Sequence, residues 1–237
     1  MHKVVLFGVI VIFGISASFA LTDRSTYSQN FGERIKIDKY VDGIAVNTLE
    51  IKKDGVGGRM EIRYPQVANL KDRPVEEKIN QKIREAVLDR TTNFEKKISC
   101  SASSEEYEIT SSFGLQGLRA EYLSFLILFK QSSSGGERFE YFPLTLNFDL
   151  KSGEVLTLSD LFLPGTKYLK AISDLSKKVF PRADQFNQFY LTNYSIVILF
   201  TDNIMGSNSL GFKEVSLYFW DIPASLGFPY KEHLPKI

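Results

Sequence analysis

The chain has 237 residues, of which 43% are hydrophobic, enough to bury a substantial core and to exclude a disordered protein. Its 29 basic and 28 acidic residues nearly cancel, so we expect no nucleic-acid partner. Cys100 is the only cysteine, which excludes an intramolecular disulfide. No histidine lies near it in the sequence to activate the thiol, so we interpret Cys100 as a small apolar filler.

The first twenty residues predict a signal peptide. His2 and Lys3 form a short basic start, residues 4–15 are apolar, and residues 18–20 end in the small residues that a signal peptidase reads. We therefore expect cleavage after Ala20, an exported protein in the periplasm or outside the cell, and no transmembrane segment after cleavage. A retained anchor is the alternative, but the apolar run barely reaches the roughly 20 residues needed to span a bilayer and has small residues at its end. Loss of Lys3 would bring the formal charge to zero.

Residues 21–32 lack hydrophobic periodicity and predict a mobile leader. Three strands are expected next, at 34–40, 45–53 and 59–64. The turns between them contain Asp42-Gly43 and the glycine-rich segment 54–58, and Pro65 is expected to end the third strand.

A long helix is expected to begin at residues 72–74. Its apolar residues recur at helical spacing and predict one buried face, made of Val75, Ile79, Ile83, Val87, Phe94 and Ile98. Two strands follow at 105–113 and 120–131, joined through Gly114 and Gly117. The second of these strands is rich in aromatic and aliphatic residues, which predicts a place at the centre of the sheet.

The segment 144–162 has the most specific local pattern. Apolar residues alternate with polar ones over 144–150, as in a strand with one buried face, and Gly153 is available for positive φ in the turn that follows. Ser159 is expected to cap a short helical turn. A second helix is expected at 166–180, with Leu169, Ile172, Leu175, Ser176 and Val179 on its buried side, and strands are expected at 188–191, 195–201 and 212–220.

These elements predict an α+β fold with mostly antiparallel sheets and two main helices packed on one side. The predicted organisation is a signal peptide (1–20), a mobile leader (21–32), a first strand-helix block (33–131), a second strand-helix block (132–222) and a tail (223–237).

The sequence carries no recognisable catalytic motif. After signal cleavage one histidine remains, His233, so a histidine-based metal site or a catalytic triad finds little support. The glycine-rich segment 54–58 lacks the lysine of a phosphate-binding loop and is interpreted as a turn. We expect no cofactor and no metal. A pair of carboxylates that hydrolyses glycosides stays open as an alternative.

Aromatic residues near strand ends could stack on sugars or anchor a protein partner, although packing on the sheet is an equally valid interpretation. They are Tyr141, Phe142, Tyr218, Trp220 and Tyr230. We expect the contact surface at the loops 134–138 and 202–209 together with nearby aromatic residues. The predicted ligand-binding residues are Ser134, Gly135, Gly136, Glu137, Arg138, Tyr141, Asn203 and Trp220.

Several segments together resemble the PdaC/SigV-type (RsiV-like) extracytoplasmic domain family, whose function is unknown in most members. They are 62–67, the helix with Val75, Ile79 and Asn80, 122–129, 147–154, 156–162, 189–192 and 211–215. The resemblance covers roughly residues 45–222. It implies an exported domain that binds rather than catalyses, as a lysozyme receptor in RsiV or beside a separate deacetylase domain in PdaC.

The sequence therefore predicts a non-catalytic binding domain of the bacterial cell envelope, with a lysozyme-like protein or peptidoglycan as ligand. Two alternatives stay open at this point: a carboxylate-dependent peptidoglycan hydrolase, and a structural envelope protein without a soluble ligand. The sequence does not determine the oligomeric state.

Overall fold

The computed structural model describes residues 27–30, 33–41, 43–99, 106–134, 139–177, 188–201 and 212–229. For residues 27–30 and 33–41, which form the first two strands, it describes the backbone alone. Within these ranges the chain forms a seven-stranded sheet, a three-stranded sheet and two α-helices. The prediction of an α+β fold with mostly antiparallel strands is confirmed, since β4 and β5 are the one parallel pair among the described strands.

The larger sheet contains seven strands in sequence order. They are β1 (Tyr27–Asn30), β2 (Glu33–Val41), β3 (Ile44–Gly55), β4 (Gly58–Ala68), β5 (Tyr107–Leu118), β6 (Tyr122–Ser133) and β7 (Phe139–Asp149). β1 falls within the predicted leader and pairs with β2. The division into two strand-helix blocks at residue 131 stays a prediction. Strand β7, which follows that boundary, pairs with β6 in the same sheet.

Helix α1 (Arg73–Ser99) covers one face of the larger sheet. The predicted buried face is confirmed, because Ile79, Ile83 and Val87 are fully buried against the strands. Burial of one such side chain contributes about 1.5–3 kcal/mol relative to exposure. Since α1 carries the chain from the end of β4 back to the start of β5, these two strands run parallel.

Pro65 does not end its strand, so this prediction was wrong. β4 continues to Ala68, with Pro65 paired to Thr48 of β3. β5 leaves β4 after residue 61, and the outward edge of β4 is then closed by side chains. Ser111 Oγ accepts the Arg63 N–H at 2.9 Å, and Asn80 Oδ1 accepts the Val67 N–H at 2.8 Å. Pro65 stands between these two positions, where the strand needs no donor.

Gly114 and Gly117 lie inside β5 and not in a turn, which corrects the predicted strand ends. A Cβ atom on Gly117 would lie 2.5 Å from the carbonyl oxygen of Leu191, so the glycine allows a strand of the smaller sheet to approach closely. β6 lies second from the edge of the sheet rather than at its centre. Its first half is nevertheless buried on both faces, because the smaller sheet packs there.

The smaller sheet contains the three closing strands that the sequence predicted, β8 (Gln188–Leu191), β9 (Ser195–Thr201) and β10 (Phe212–Tyr218). Helix α2 (Tyr168–Lys177) packs against it through Ile172, which is 2% exposed. Leu169, predicted to be buried, is 51% exposed, because the helix turns Tyr168 and Ala171 toward the core instead. The sequence predicted both helices on one side, whereas each helix covers its own sheet.

Buried polar side chains join the two sheets. Asn147 Nδ2 donates to the Phe189 carbonyl at 2.9 Å, and its Oδ1 accepts the Leu191 N–H at 3.2 Å and the Ser124 hydroxyl at 2.6 Å. Gln188 Oε1 accepts the Thr145 N–H at 3.1 Å. These three side chains and the three backbone positions that they contact tie β8 across β6 and β7, and we call them the junction.

The turn after β7 ties the junction to α1. Gly153 has φ +70°, as predicted, and an added Cβ would lie 3.2 Å from the Val75 carbonyl oxygen of α1. Lys78 Nζ donates to the Ser152 carbonyl at 2.9 Å and lies 2.6 Å from the Glu154 carboxylate. The helical turn Leu158–Leu161 follows and is capped by Thr157, not by Ser159 as predicted.

No helix within the described ranges combines the length and apolar character that crossing a membrane requires.

Candidate functional site on the open face of the larger sheet

The two faces of the larger sheet are covered differently. Helix α1 covers one face, and β8 crosses the other near Ser124 and Asn147, which leaves the rest of that second face to solvent. We call this uncovered part the open face. Its side chains, which follow from the strand register, are Glu50, Lys52, Asp54, Arg59, Glu61, Arg63, Glu108, Thr110, Ser112, Leu128, Lys130, Ser132, Phe139 and Tyr141.

The half of the open face on β3 and β4 is a network of ion pairs. Arg63 Nε donates to Glu50 at 3.0 Å, and its Nη2 donates to Glu61. Lys52 Nζ lies 3.2 Å from Glu50 and 3.8 Å from Glu61. Burial acts to raise the pKa of Glu50, but the hydrogen bonds from Arg63 and Lys52 outweigh it and lower the pKa. The charges in this half therefore neutralise each other.

One more ion pair extends this network onto β5. Arg59 Nη2 lies 2.6 Å from Glu108, its direct neighbour across the parallel pair, and this hydrogen bond raises the pKa of the guanidinium. The hydrogen bond to Glu50 raises the pKa of Arg63 in the same way.

Small side chains on β5 form the floor of a groove beside this network. Thr110 and Ser112 lie between the charged side chains of β4 and the longer side chains of β6 and β7. The resulting cleft has a volume of about 290 Å³. We call it the furrow, and its open-face lining residues are Glu61, Arg63, Thr110, Ser112, Leu128, Lys130 and Tyr141.

A second cleft of about 470 Å³ lies at the end of the sheet that carries Ser134. Arg59, Glu108 and Ser132 line this cleft and stand one register step from Glu61, Thr110 and Lys130 of the furrow. The two clefts therefore follow one another along the strands.

Aromatic rings form the opposite wall. Tyr141 stands directly across from Lys130, and Phe139 stands across from Ser132. The Lys130 ammonium lies 3.8 Å from the centroid of the Phe139 ring, a cation–π contact. Phe139 is 51% exposed, so much of its ring is accessible to a ligand.

This arrangement suits binding of an extended polar ligand. Hydroxyl groups on the floor both donate and accept hydrogen bonds, charged groups flank one side, and aromatic rings can pack on an apolar ring face. Within the described ranges no three His, Cys, Asp or Glu side chains are grouped so that they could hold a metal ion.

Two carboxylates of the open face, Glu50 and Glu61, are not arranged as an acid and a base. Glu50 and Glu61 both accept from Arg63, and the lowered pKa of Glu50 is opposite to what a general acid needs. Glu214, on the smaller sheet, has a pKa that burial raises, although a hydrogen bond from Tyr190 acts in the opposite direction.

The structure separates the sequence-predicted ligand-binding residues. Ser134 directly follows strand β6, its N–H donates to the Glu106 carbonyl at 2.8 Å, and Tyr141 lies in the furrow near that end of the strand. Trp220 follows β10 and stacks on Tyr218 at 4.6 Å between ring centroids. Gly135, Gly136, Glu137, Arg138 and Asn203 lie outside the described residues, as does Tyr230.

Trp220 belongs to the opposite end of the β5–β6 hairpin. Its neighbour Phe219 lies 5.8 Å from the guanidinium of Arg119, just before β6 begins, whereas Ser134 follows the last residue of β6. A strand of 12 residues spans roughly 36 Å, so Trp220 and Ser134 do not form one surface. Phe142, also considered from the sequence, packs on Phe94 of α1 at 5.7 Å.

Sequence reasoning missed Arg63, Thr110, Ser112 and Lys130. Their alternation with buried residues such as Ile62 and Phe129 places them on a polar face. That signal was present, but alternation does not reveal which strands are neighbours, and the furrow exists only because β4, β5, β6 and β7 are adjacent.

No family model matches the chain, and no curated protein matches it. Solved structures do resemble it. A DUF3298 family member from Bacteroides fragilis superposes with a TM-score of 0.53 at 14% identity, over 75% of this chain and 91% of that one. A DUF3298 family protein from Pseudomonas aeruginosa gives 0.52 at 13% identity, with the same coverage of 75% and 91%. The chain therefore shares the fold of DUF3298 proteins, a domain family of unknown function.

Proposed function

We propose that the chain is an exported, non-catalytic binding domain of the bacterial cell envelope, and that the furrow holds a glycan of the cell wall. The predicted signal peptide supports export. The resemblance to the PdaC/SigV-type family, together with the DUF3298 fold, supports an envelope role.

The furrow carries this proposal. On β5, β6 and β7 three rows of side chains cross the furrow and the second cleft, and the central row, in the furrow, is Thr110, Lys130 and Tyr141. Rows on one face are two residues apart, so three rows extend over roughly 13 Å of strand. That length accommodates several ring-shaped units of an extended chain in register with the strands.

The chemistry of the lining favours a saccharide. A sugar presents hydroxyl groups around its edge and a C–H surface on its ring face, and the furrow offers hydroxyl and charged groups on the floor and one wall and aromatic rings on the other. A lysozyme-like protein is the alternative ligand, and a parallel binding measurement distinguishes it from the glycan.

The neutralised carboxylates support a non-catalytic role. A glycosidase needs one carboxylic acid and one carboxylate on either side of the bond that it breaks. Glu50 and Glu61 share the Arg63 guanidinium instead, and Glu214 lies on the other sheet.

The test measures binding of the protein from residue 21 onward to purified peptidoglycan and, in parallel, to lysozyme. We expect saturable binding to peptidoglycan without release of reducing sugar. Tyr141→Ala should weaken that binding about tenfold, since an aromatic contact of this kind is worth about 0.5–1.5 kcal/mol beyond its buried area. The matched control is Tyr194→Ala, the same change at a half-exposed tyrosine in the β8–β9 turn.

Three outcomes would overturn the proposal. If Tyr141→Ala and Tyr194→Ala reduced the affinity for peptidoglycan equally, the binding site would not be the furrow. Binding to lysozyme alone would replace the glycan with a protein ligand. Release of reducing sugar that disappears on mutation of an acidic residue would make the chain a hydrolase.

A further inference from the structure

We infer that Lys130 recognises a carboxylate of the bound saccharide, so that the furrow selects acidic glycans over neutral ones. This inference rests on the proposed function and adds the chemical class of its ligand. The shared chemistry is a sugar-borne carboxylate, whether it belongs to the ring, as in a uronic acid, or to an ether-linked acid.

Lys130 differs from the other cations of the open face in its partners. Arg63 is bonded to Glu50 and Glu61, Arg59 to Glu108, and Lys52 lies beside the same two glutamates as Arg63. Among the residues whose side chains the structure describes, Lys130 forms no ion pair. Its charge is therefore the one in the furrow that a ligand can neutralise.

The surroundings of Lys130 hold its ammonium in place. The Phe139 ring lies 3.8 Å from Nζ, and Tyr141 and Thr110 flank the lysine on its two neighbouring strands. A ring face attracts a cation without using its N–H groups as a carboxylate would, so donors stay available to a ligand. The side chain is half-buried, which strengthens a charge interaction relative to one in bulk water.

Small neighbours leave space for the acidic group. Ser132 stands two residues along β6 on the same face, and Thr110 stands directly across on β5. The Ser132 hydroxyl donates to the Glu108 carbonyl at 3.4 Å, so the Thr110 hydroxyl is the group that can donate to a second carboxylate oxygen while Nζ contacts the first. A hydrogen bond between a cation and a carboxylate is roughly twice as strong as one between neutral groups, and this difference is the basis of the selection.

The experiment compares two defined probes, oligomers of galacturonic acid and oligomers of N-acetylglucosamine, with purified peptidoglycan as the positive ligand. We expect the unmodified protein to bind the acidic oligomer about tenfold more tightly than the neutral one, and higher salt to reduce this preference. Lys130→Met should remove the preference, because it weakens binding of the acidic oligomer about tenfold more than binding of the neutral one.

Lys52→Met is the matched control. It removes the same charge from the same face, at a position where two glutamates already neutralise the lysine. We expect it to keep the preference for the acidic oligomer. Unfolding curves of both variants establish that each is folded at the temperature of the binding assay.

The outcomes separate this inference from the proposed function. If the unmodified protein binds peptidoglycan but binds acidic and neutral oligomers equally, the role of Lys130 is wrong and the proposed function stands. If Lys52→Met loses the preference as much as Lys130→Met does, the preference comes from the overall electrostatic potential of the open face, and the inference is wrong. If the unmodified protein binds neither peptidoglycan nor either oligomer, both proposals are wrong.

Discussion

The junction and the open face are both polar, but their polar atoms have different partners. In the junction, Ser124 and Asn147 are at most 2% exposed, and both form hydrogen bonds with the backbone of β8. On the open face, the charged side chains bond mainly to one another at the surface. Buried polar groups without partners are costly, so the junction enforces one arrangement of the two sheets. Surface groups stay exchangeable with a ligand.

Residues in the segments that suggested a family also join parts of the fold. Asn80 closes the outer edge of β4, Asn147 ties β8 to the larger sheet, and Gly153 allows the turn to approach α1. These residues specify how the parts of the fold meet. The furrow residues Thr110 and Ser112 lie outside the segments that carry the resemblance.

The largest effect should come from Asn147→Ala. The change leaves the Phe189 carbonyl without its donor and opens a cavity beside Ser124, so we expect a loss of about 3 kcal/mol in the free energy of unfolding. Urea unfolding measures it. The matched control, Asn193→Ala, removes one exposed side chain that accepts the Leu118 N–H at 3.1 Å, and should cost about 1 kcal/mol. If the two variants lost similar free energies of unfolding, the junction would stabilise the fold no more than an exposed hydrogen bond does.

Gly117→Ala should have the next largest effect. The new methyl group would lie 2.5 Å from the Leu191 carbonyl oxygen, so β8 must move away from β5. We expect a cost of about 2 kcal/mol, as for other overpacked sites, measured by the same unfolding experiment. Gln116→Ala, at the adjacent position on the bulge, should cost well under half of that. A stability unchanged by Gly117→Ala would contradict the close contact between the sheets.

The smallest effect should come from Glu50→Gln on the open face. Arg63 and Lys52 lower the pKa of Glu50 in the folded protein, so its contribution is present above the unfolded value of about 4.3 and is lost as the pH falls through the folded value. We expect a cost of about 0.5 kcal/mol at pH 7, typical of surface ion pairs. At pH 3 the difference should shrink. A cost above 2 kcal/mol, or one independent of pH, would mean that the open face stabilises the fold as the junction does.

Much of the fold could be predicted from periodicity. The apolar residues of α1 and the three strands of the smaller sheet were placed correctly because burial on one face imposes a period that is visible in the sequence. Pro65, Gly117, Leu169 and the Ser159 cap are among the positions where the prediction was wrong. Proline and glycine were interpreted as breaks, whereas one occupies a strand edge and the other a contact between sheets, and these roles depend on distant residues.

The candidate site was predictable only in part. Tyr141 and Ser134 were selected because aromatic and loop residues at strand ends often bind ligands, and they lie in or next to the clefts of the open face. Trp220 was selected by the same reasoning but belongs to the other end of the hairpin. For Thr110 and Lys130 the sequence indicates only a polar face, since their importance comes from being opposite each other on two adjacent strands.

The most direct test of the division between the two regions is amide chemical-shift mapping of the labelled protein during titration with soluble peptidoglycan fragments. If the ligand binds in the furrow, the β5, β6 and β7 amides around Thr110, Lys130 and Tyr141 should shift progressively. The junction and the β8–β9 turn should change little. Shifts concentrated around Tyr194 and Trp220, or no shifts at saturating fragment, would contradict the assignment of binding to the open face.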